Sequence, residues 1–485
     1  MSGTSIGNAT SLPAASLQAT DIIPVERPGV TTPYKTRVSS LTKAVTGMIN
    51  VVDYGAVGGG IIDDTDAIQA AIDAANALYG TNRNTINVLF PYVPGGYLVS
   101  SITLKSGVNL YSPSGVGTLG AYLTSTTPGW VIDTPATTIL HAGVDGVGVV
   151  GGGTPATNGL GGIRFQDTDR CWIKNTFLYG FANQGILVSA GGACLFQDIL
   201  IYQALMDRSR AAFAGAFEVY GTDHKLDFIE ATSSQNIEGD VTDANLYLAG
   251  ILMGATNCFV SDCIGEISDV GIYVSGNYNR FVNCRADLNY GHGWAIAATS
   301  NRNQYTGCLA LNNGKGTTNT YDGFFVVGTK GQTSQFSNCL AHSITAPYHR
   351  YGFNDPTTSV NAGNRWIGCN STGHATAAVS LGAIYPSVFE IPQGKRGNNF
   401  TDGDTTPSVA MCSVFDTVNT SPTTITNFDD GIDGQIIRIR CTGTPNNTTI
   451  DHNGITIFTK TAADIVCANG IFYSFMKRGT AWYEI

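Results

Sequence analysis

Charge is what this chain has least of. Only 13% of its 485 residues are Asp, Glu, Lys or Arg, about half of the ~25% usual in globular proteins. Acids outnumber bases 36 to 26, for a formal net charge of −10. That balance argues against nucleic acid and against an anionic membrane as partners, since both attract cationic faces. No apolar run approaches the ~20 residues of a membrane-spanning helix. The first residues also lack the charged-then-apolar pattern of a secretory signal. The 11 cysteines are odd in number and include no pair of close CxxC motifs, which speaks against a disulfide framework and against zinc. No dense cluster of aspartates suggests a calcium cage, so neither metal nor cofactor is expected.

What the chain does have is repetition. Five segments end in Cys with two residues between it and a recurring aromatic or aliphatic position: VSDC (Cys263), FVNC (Cys284), YTGC (Cys308), FSNC (Cys339) and WIGC (Cys369). The intervals of 21, 24, 31 and 30 residues keep a loose period, with the surplus in loops. Between them run short apolar segments opened by Gly: GILV (185–188), GILM (250–253), GIYV (271–274), GWAI (293–296) and GFFV (323–326). Units of this length that hold strands and no amphipathic helix indicate a solenoid of β-strands. The fold class expected is all-β, a parallel β-helix with an N-terminal capping helix and a small C-terminal antiparallel β-domain. Equivalent cysteines would stack about 4.8 Å apart as small buried hydrophobes, in a chain that folds in a reducing compartment or at least needs no bridges.

The cysteines also set a register. Three residues beyond each lie Glu266, Asp287, Leu311, His342 and Thr372. In two earlier coils, where Thr176 and Ile199 take the ladder place, the position holds Tyr179 and Tyr202. Glu266 and Asp287 are thereby expected on adjacent coils, one strand spacing (~4.8 Å) apart. Two carboxyls that close raise one another's pKa and can act as acid and base. A second set is Glu218, read as facing solvent from its strand, with Asp269 or Asp223 nearby. Tyr179, Tyr202 and Tyr273 offer flat faces for sugar rings, and His292 lies in a Gly-His-Gly turn. Arg280, Arg285 and Arg302 fall close together by register.

Residues 51–75, VVDYGAVGGGIIDDTDAIQAAIDAA, read as a strand, a Gly-rich turn and a helix. Asp63 and Asp64 are placed to cap that helix, and Ile68, Ala71, Ile72 and Ala75 form its apolar stripe. This segment resembles the opening of the pectate-lyase-like superfamily of right-handed β-helix proteins, found in phage tailspikes and polysaccharide-degrading enzymes. It departs from the usual phrase at Gly59, where the superfamily carries Asp. Gly291, His292 and Gly293 also look locally similar to a polygalacturonase motif, but the other motifs of that family are missing. Residues 12–41 are similar to the short adaptors that dock tail fibres and tailspikes to the phage particle.

The expected domains are an attachment segment over 1–47, a cap and first coils over 48–155, the parallel β-helix over 156–385 and the C-terminal β-domain over 386–485. The resemblance implies a virion-tail protein, folded in the host cytoplasm and acting outside the cell. It would be a homotrimer, joined to the phage tail or baseplate through its N-terminus, that binds a bacterial surface polysaccharide (capsule or O-antigen). Endo-hydrolysis by a carboxylate pair is the expected activity. A lyase acting by β-elimination and a spike that binds without cutting are the alternatives.

Overall fold

A computed structural model of the chain describes residues 48–82, 84–113, 120–151, 160–205, 214–233, 248–317, 319–327, 334–344, 349–356, 364–381, 388–390, 396–397, 399–442 and 447–485. It also describes two strands, Ile22–Val25 and Tyr34–Arg37, which pair antiparallel. The rest of the expected attachment segment lies outside the described residues. The chain falls into two compact units, residues 1–200 and 201–485.

In the first unit, parallel stacking begins at Met48. Strands Met48–Asn50, Ile86–Leu89, Val108–Tyr111, Gly143–Asp145 and Trp172–Tyr179 pair in succession on one side. Ile102–Thr103, Gly129–Asp133, Leu160–Phe165 and Ile186–Val188 do so on another. Helix Thr65–Asn82 packs Ile68, Ala71, Ile72 and Ala75, all fully buried, against this stack. The two acids before it divide their work. Asp63 accepts from Thr65 N at 2.9 Å, whereas buried Asp64 turns back to Val57 N (2.7 Å) and Gly58 N (3.0 Å). Asp64 therefore folds the Gly-rich turn and starts the helix only through its carbonyl, which accepts from Ile68 N.

In the second unit each regular coil has one strand on one face and two short segments on the other, as in Val270–Val274, Arg280–Val282 and Arg285–Asp287. The bend between the two segments is made by Asp262, Asn283, Gly307, Asn338 and Gly368, all at positive φ, a conformation that Asn, Asp and Gly tolerate best. The next residue in each coil is the repeat cysteine, and all five are free and buried. Below them Phe281, Tyr305, Phe336 and Trp366 stack face to face with centroids 4.9, 4.3 and 3.6 Å apart. Identical positions meet identical positions, which is how a repeat of one coil builds a continuous core.

The last ninety residues form a separate hydrophobic core around Phe400, Phe428, Ile437, Ile439, Phe475 and Trp482. Strands Ile436–Arg440, Phe472–Arg478 and Ala481–Glu484 are antiparallel, as expected. Shorter strands add parallel pairings at the margins, Val414–Asp416 to Ile436–Arg440 and Ile457–Phe458 to Ala481–Glu484. Among the described residues no helix is long and apolar enough to cross a membrane.

Candidate functional site

The register count from the cysteines places Glu266 opposite Asp287, and Asp287 opposite Leu311, followed by His342 and Thr372. Both acids project outward, because the residue before each (Gly265, Ala286) is buried against the core. In the coil before them, strand Lys225–Ser233 supplies Thr232 as the partner of Glu266, so Tyr202 belongs one coil further back. That coil was missed because Ile229, not Cys, holds the ladder place. It also contributes Glu230, whose carboxylate accepts a short hydrogen bond from the Tyr202 hydroxyl.

Three carboxylates on successive coils thus share one outward face with Tyr202. Burial pushes the Glu266 carboxyl above its ordinary range, and the charges of Glu230 and Asp287 add to this against Arg285. Burial also raises Asp287, opposed chiefly by Arg285, whose Nε lies 3.6 Å from Asp287 Oδ2. The Tyr202 phenol is pushed up to about 12, first by its bond to Glu230. Asp287 Oδ1 is buried and accepts no hydrogen bond among the described residues. Physically this is a pair of coupled acids, one flanked by carboxylates and one by a guanidinium, the arrangement that separates their tendencies to hold a proton.

Glu218 is not on a solvent face. It is buried, its carboxylate accepts from Gly215 N at 3.1 Å and from the Tyr220 hydroxyl at 3.0 Å. The outward side of its strand is covered by a second apolar cluster of Ala249, Leu252, Val270 and Ala295, with Tyr220 and Tyr273 against it. The alternation of inward and outward residues is real, but both faces are buried there. Asp223 is not brought to Glu218. It sits in an exposed left-handed turn, bound to Thr222 and Asn257. Tyr179 is exposed in the first unit and stacks on Phe177 at 6.3 Å.

Asp269 and His292 sit just before the one-strand face, where Gly291 N donates to the Asp269 carbonyl at 2.8 Å, whereas Tyr273 lies further along, in the register column of Glu218. His292 Nδ1 accepts from Asp322 N at 3.0 Å, so the neutral ring carries its proton on Nε2. Burial, helped by Arg350, holds its pKa down at about 4. The ring lies flat on Phe325 at 4.3 Å and edge-on to Tyr321. Fully buried Asp322 grips Arg350 through two bonds of 3.0 and 2.8 Å and accepts from Asn354 Nδ2 at 2.8 Å. Neutral and with Nδ1 engaged, His292 is a hydrogen-bond donor rather than a base. Asp322 carries a signal in the sequence, since it directly precedes a coil-opening Gly (Gly323) as His292 precedes Gly293; Arg350, two residues before Gly352, carries none. That Gly is required, since a Cβ on Gly293 would lie 2.6 Å from Asn313 Nδ2.

Two family models match the chain: rhamnogalacturonase A/epimerase, pectate lyase-like, over residues 48–137, and the right-handed β-helix region over 161–341. Among solved structures, the tailspike of Escherichia coli bacteriophage HK620 is similar over 90% of this chain and 79% of its own, at 12% identity and TM-score 0.56. That tailspike has also been solved in complex with a pentasaccharide. A mannuronan C-5 epimerase A-module from Azotobacter vinelandii matches 68% of this chain and 99% of its own, at 14% identity and TM-score 0.48. The fold and the two matched regions agree: the chain is a right-handed parallel β-helix protein, and its residues 48–137 match a pectate-lyase-like family model.

Proposed function

We propose that this protein is a phage tailspike depolymerase, an endo-acting hydrolase of a bacterial surface polysaccharide. The observation that carries the reading is the stacked pair Glu266 and Asp287, two outward carboxyls on adjacent coils, both displaced toward holding a proton. Glu266, flanked by two carboxylates, serves as the acid that protonates the glycosidic oxygen as the bond to the anomeric carbon breaks. Asp287, beside Arg285, stays ionised more readily and takes the proton of the attacking water or attacks the carbon itself. Tyr202 fixes Glu230, which keeps negative charge next to Glu266 and so maintains its proton affinity. Similarity in fold to a phage tailspike over most of the chain supports the setting: a homotrimer on the virion tail, attached through residues 1–47. The aromatic face of Tyr273, Tyr321, Phe325 and His292 supports a second reading, a spike that holds its glycan without cutting it.

The test is mass spectrometry of products after incubating the protein with capsule or O-polysaccharide from a susceptible host. Fragments in which each cut bond has taken up one water are expected, and Glu266→Gln should abolish them. Unsaturated fragments, lighter by one water, would replace this reading by a lyase. Intact polymer that is nonetheless bound would leave the adhesion spike.

A further inference from the structure

In a chain with ten more acids than bases, one surface column has none. Register partners along the first segment of the two-segment face are Phe259, Arg280, Gln304, Gln335 and Arg365, and all five are exposed. Consecutive members lie about 4.8 Å apart, so the column runs along the solenoid axis, about 14 Å from Arg280 to Arg365. Beside it, in the turn before Gln304, exposed Arg302 donates to the hydroxyl of exposed Tyr278 at 2.6 Å and lies 5.3 Å over its ring. Arg280 has no ion-pair or hydrogen-bonding partner for its side chain among the described residues. The carboxylates Glu230, Glu266 and Asp287 belong to the other segment of each coil, past the bend.

The overall charge does not cancel this strip. At about 0.1 M salt the Debye length is only ~10 Å, so an approaching polymer feels the local arginines more than the distant acids. Guanidinium groups bind carboxylates in a forked geometry, exposed side-chain amides exchange hydrogen bonds with hydroxyls, and Phe259 and Tyr278 present flat apolar faces. A linear array of these three chemistries fits one class of partner. We infer that this strip docks an acidic, uronate-bearing polysaccharide chain along the axis of the β-helix, through Arg280, Arg302 and Arg365, apart from the carboxylates that would cut it. The inference rests on the glycan-binding part of the function proposed above, and not on cleavage.

The test uses the full chain with Glu266→Gln, so that the polymer stays intact, and fluorescently labelled polygalacturonate as probe. Anisotropy titrations at 50 mM and 300 mM salt compare that protein with the same protein also carrying Arg280→Gln and Arg302→Gln. The expected result is roughly tenfold or greater weakening in the arginine variant, the size of losing one charged hydrogen bond or more. Wild-type-like weakening by salt and no binding of neutral dextran should accompany it. Equal affinity of the two proteins for polygalacturonate would overturn the inference, as would absence of binding at 50 mM salt. Equally tight, arginine-dependent binding of single-stranded DNA would overturn it too, by showing a general polyanion surface. Arginine-dependent binding of polygalacturonate that wild-type protein leaves uncut would still uphold the strip, and the hydrolase would stand or fall on the host polysaccharide alone.

Discussion

Glu266 illustrates how one residue can work against the fold that carries it. A carboxyl whose pKa is raised in the folded state is worse off ionised there than in the unfolded chain. Above its folded pKa it therefore subtracts stability, and the cost fades as pH falls and the proton is taken up. Glu266→Gln should consequently stabilise the protein at pH 7 by about 1 kcal/mol, the usual gain on relieving a strained functional position. At pH 4 the gain should be smaller, and urea unfolding at both values checks this. A loss of stability at pH 7 would mean that Glu266 is held by a partner rather than strained. The pairing of Glu266 with Asp287 was legible in sequence because it needs only a count of three from each cysteine. Glu230 was not, because its coil breaks the Cys pattern, although Leu226 and Ile229 keep the same spacing as Val260 and Cys263. Glu218 misled for a different reason: strand alternation predicts facing, and a second buried layer makes facing irrelevant.

Between coils, the turns are joined by buried amides. Cys258 N donates to Asn279 Oδ1, Asn279 N to Asn303 Oδ1, and Ser334 N to Asn364 Oδ1. A second ladder runs from Ser268 N to Asn289 Oδ1 and from Asn289 N to Asn313 Oδ1, and ends where Asn313 N donates to His349 Nε2. Removing a rung strands a backbone donor that has no water. Asn289→Ala should cost about 3 kcal/mol, at the upper end for one orphaned buried group plus its lost partners, read as a fall in the urea midpoint. The ladders also carry a pH signature. His349 and His292 both accept backbone hydrogens and are both held near a pKa of about 4, chiefly by burial. An unfolded histidine titrates near 6.5. Between those values the unfolded chain binds more protons, so stability is full above about 6.5 and drains away as pH falls toward 4. The midpoint of thermal unfolding should drop over that interval, and His349→Gln should flatten the drop. These ladders were invisible in sequence, since Asn is equally at home in exposed turns.

At the scale of the whole molecule, the period of the cysteine phrases revealed the parallel β-helix because an axial repeat must reuse its core positions. The two-sheet C-terminal domain was legible only as alternation, as in Ile437, Arg438, Ile439, Arg440; its parallel margins depend on partners far away in sequence. The proposed homotrimer has a direct check: light scattering should give three times 51.0 kDa, independent of concentration over the micromolar range. A mass of one chain would remove the tailspike setting while leaving the fold untouched.

The stacking of like upon like has a consequence for how such a chain can change over generations. Each of the four coils that carry Phe281, Tyr305, Phe336 and Trp366 offers its neighbours a bend residue, a cysteine, a small buried residue and a ring, and asks the same of them. A whole coil can therefore be duplicated or deleted in a gene with the interior left matched. Outside, the same event would slide Arg365 one step further from Arg280, or bring it one step nearer. Copying errors that the core does not notice would thus re-space the groups that meet a polymer, and offer new hosts without any new fold.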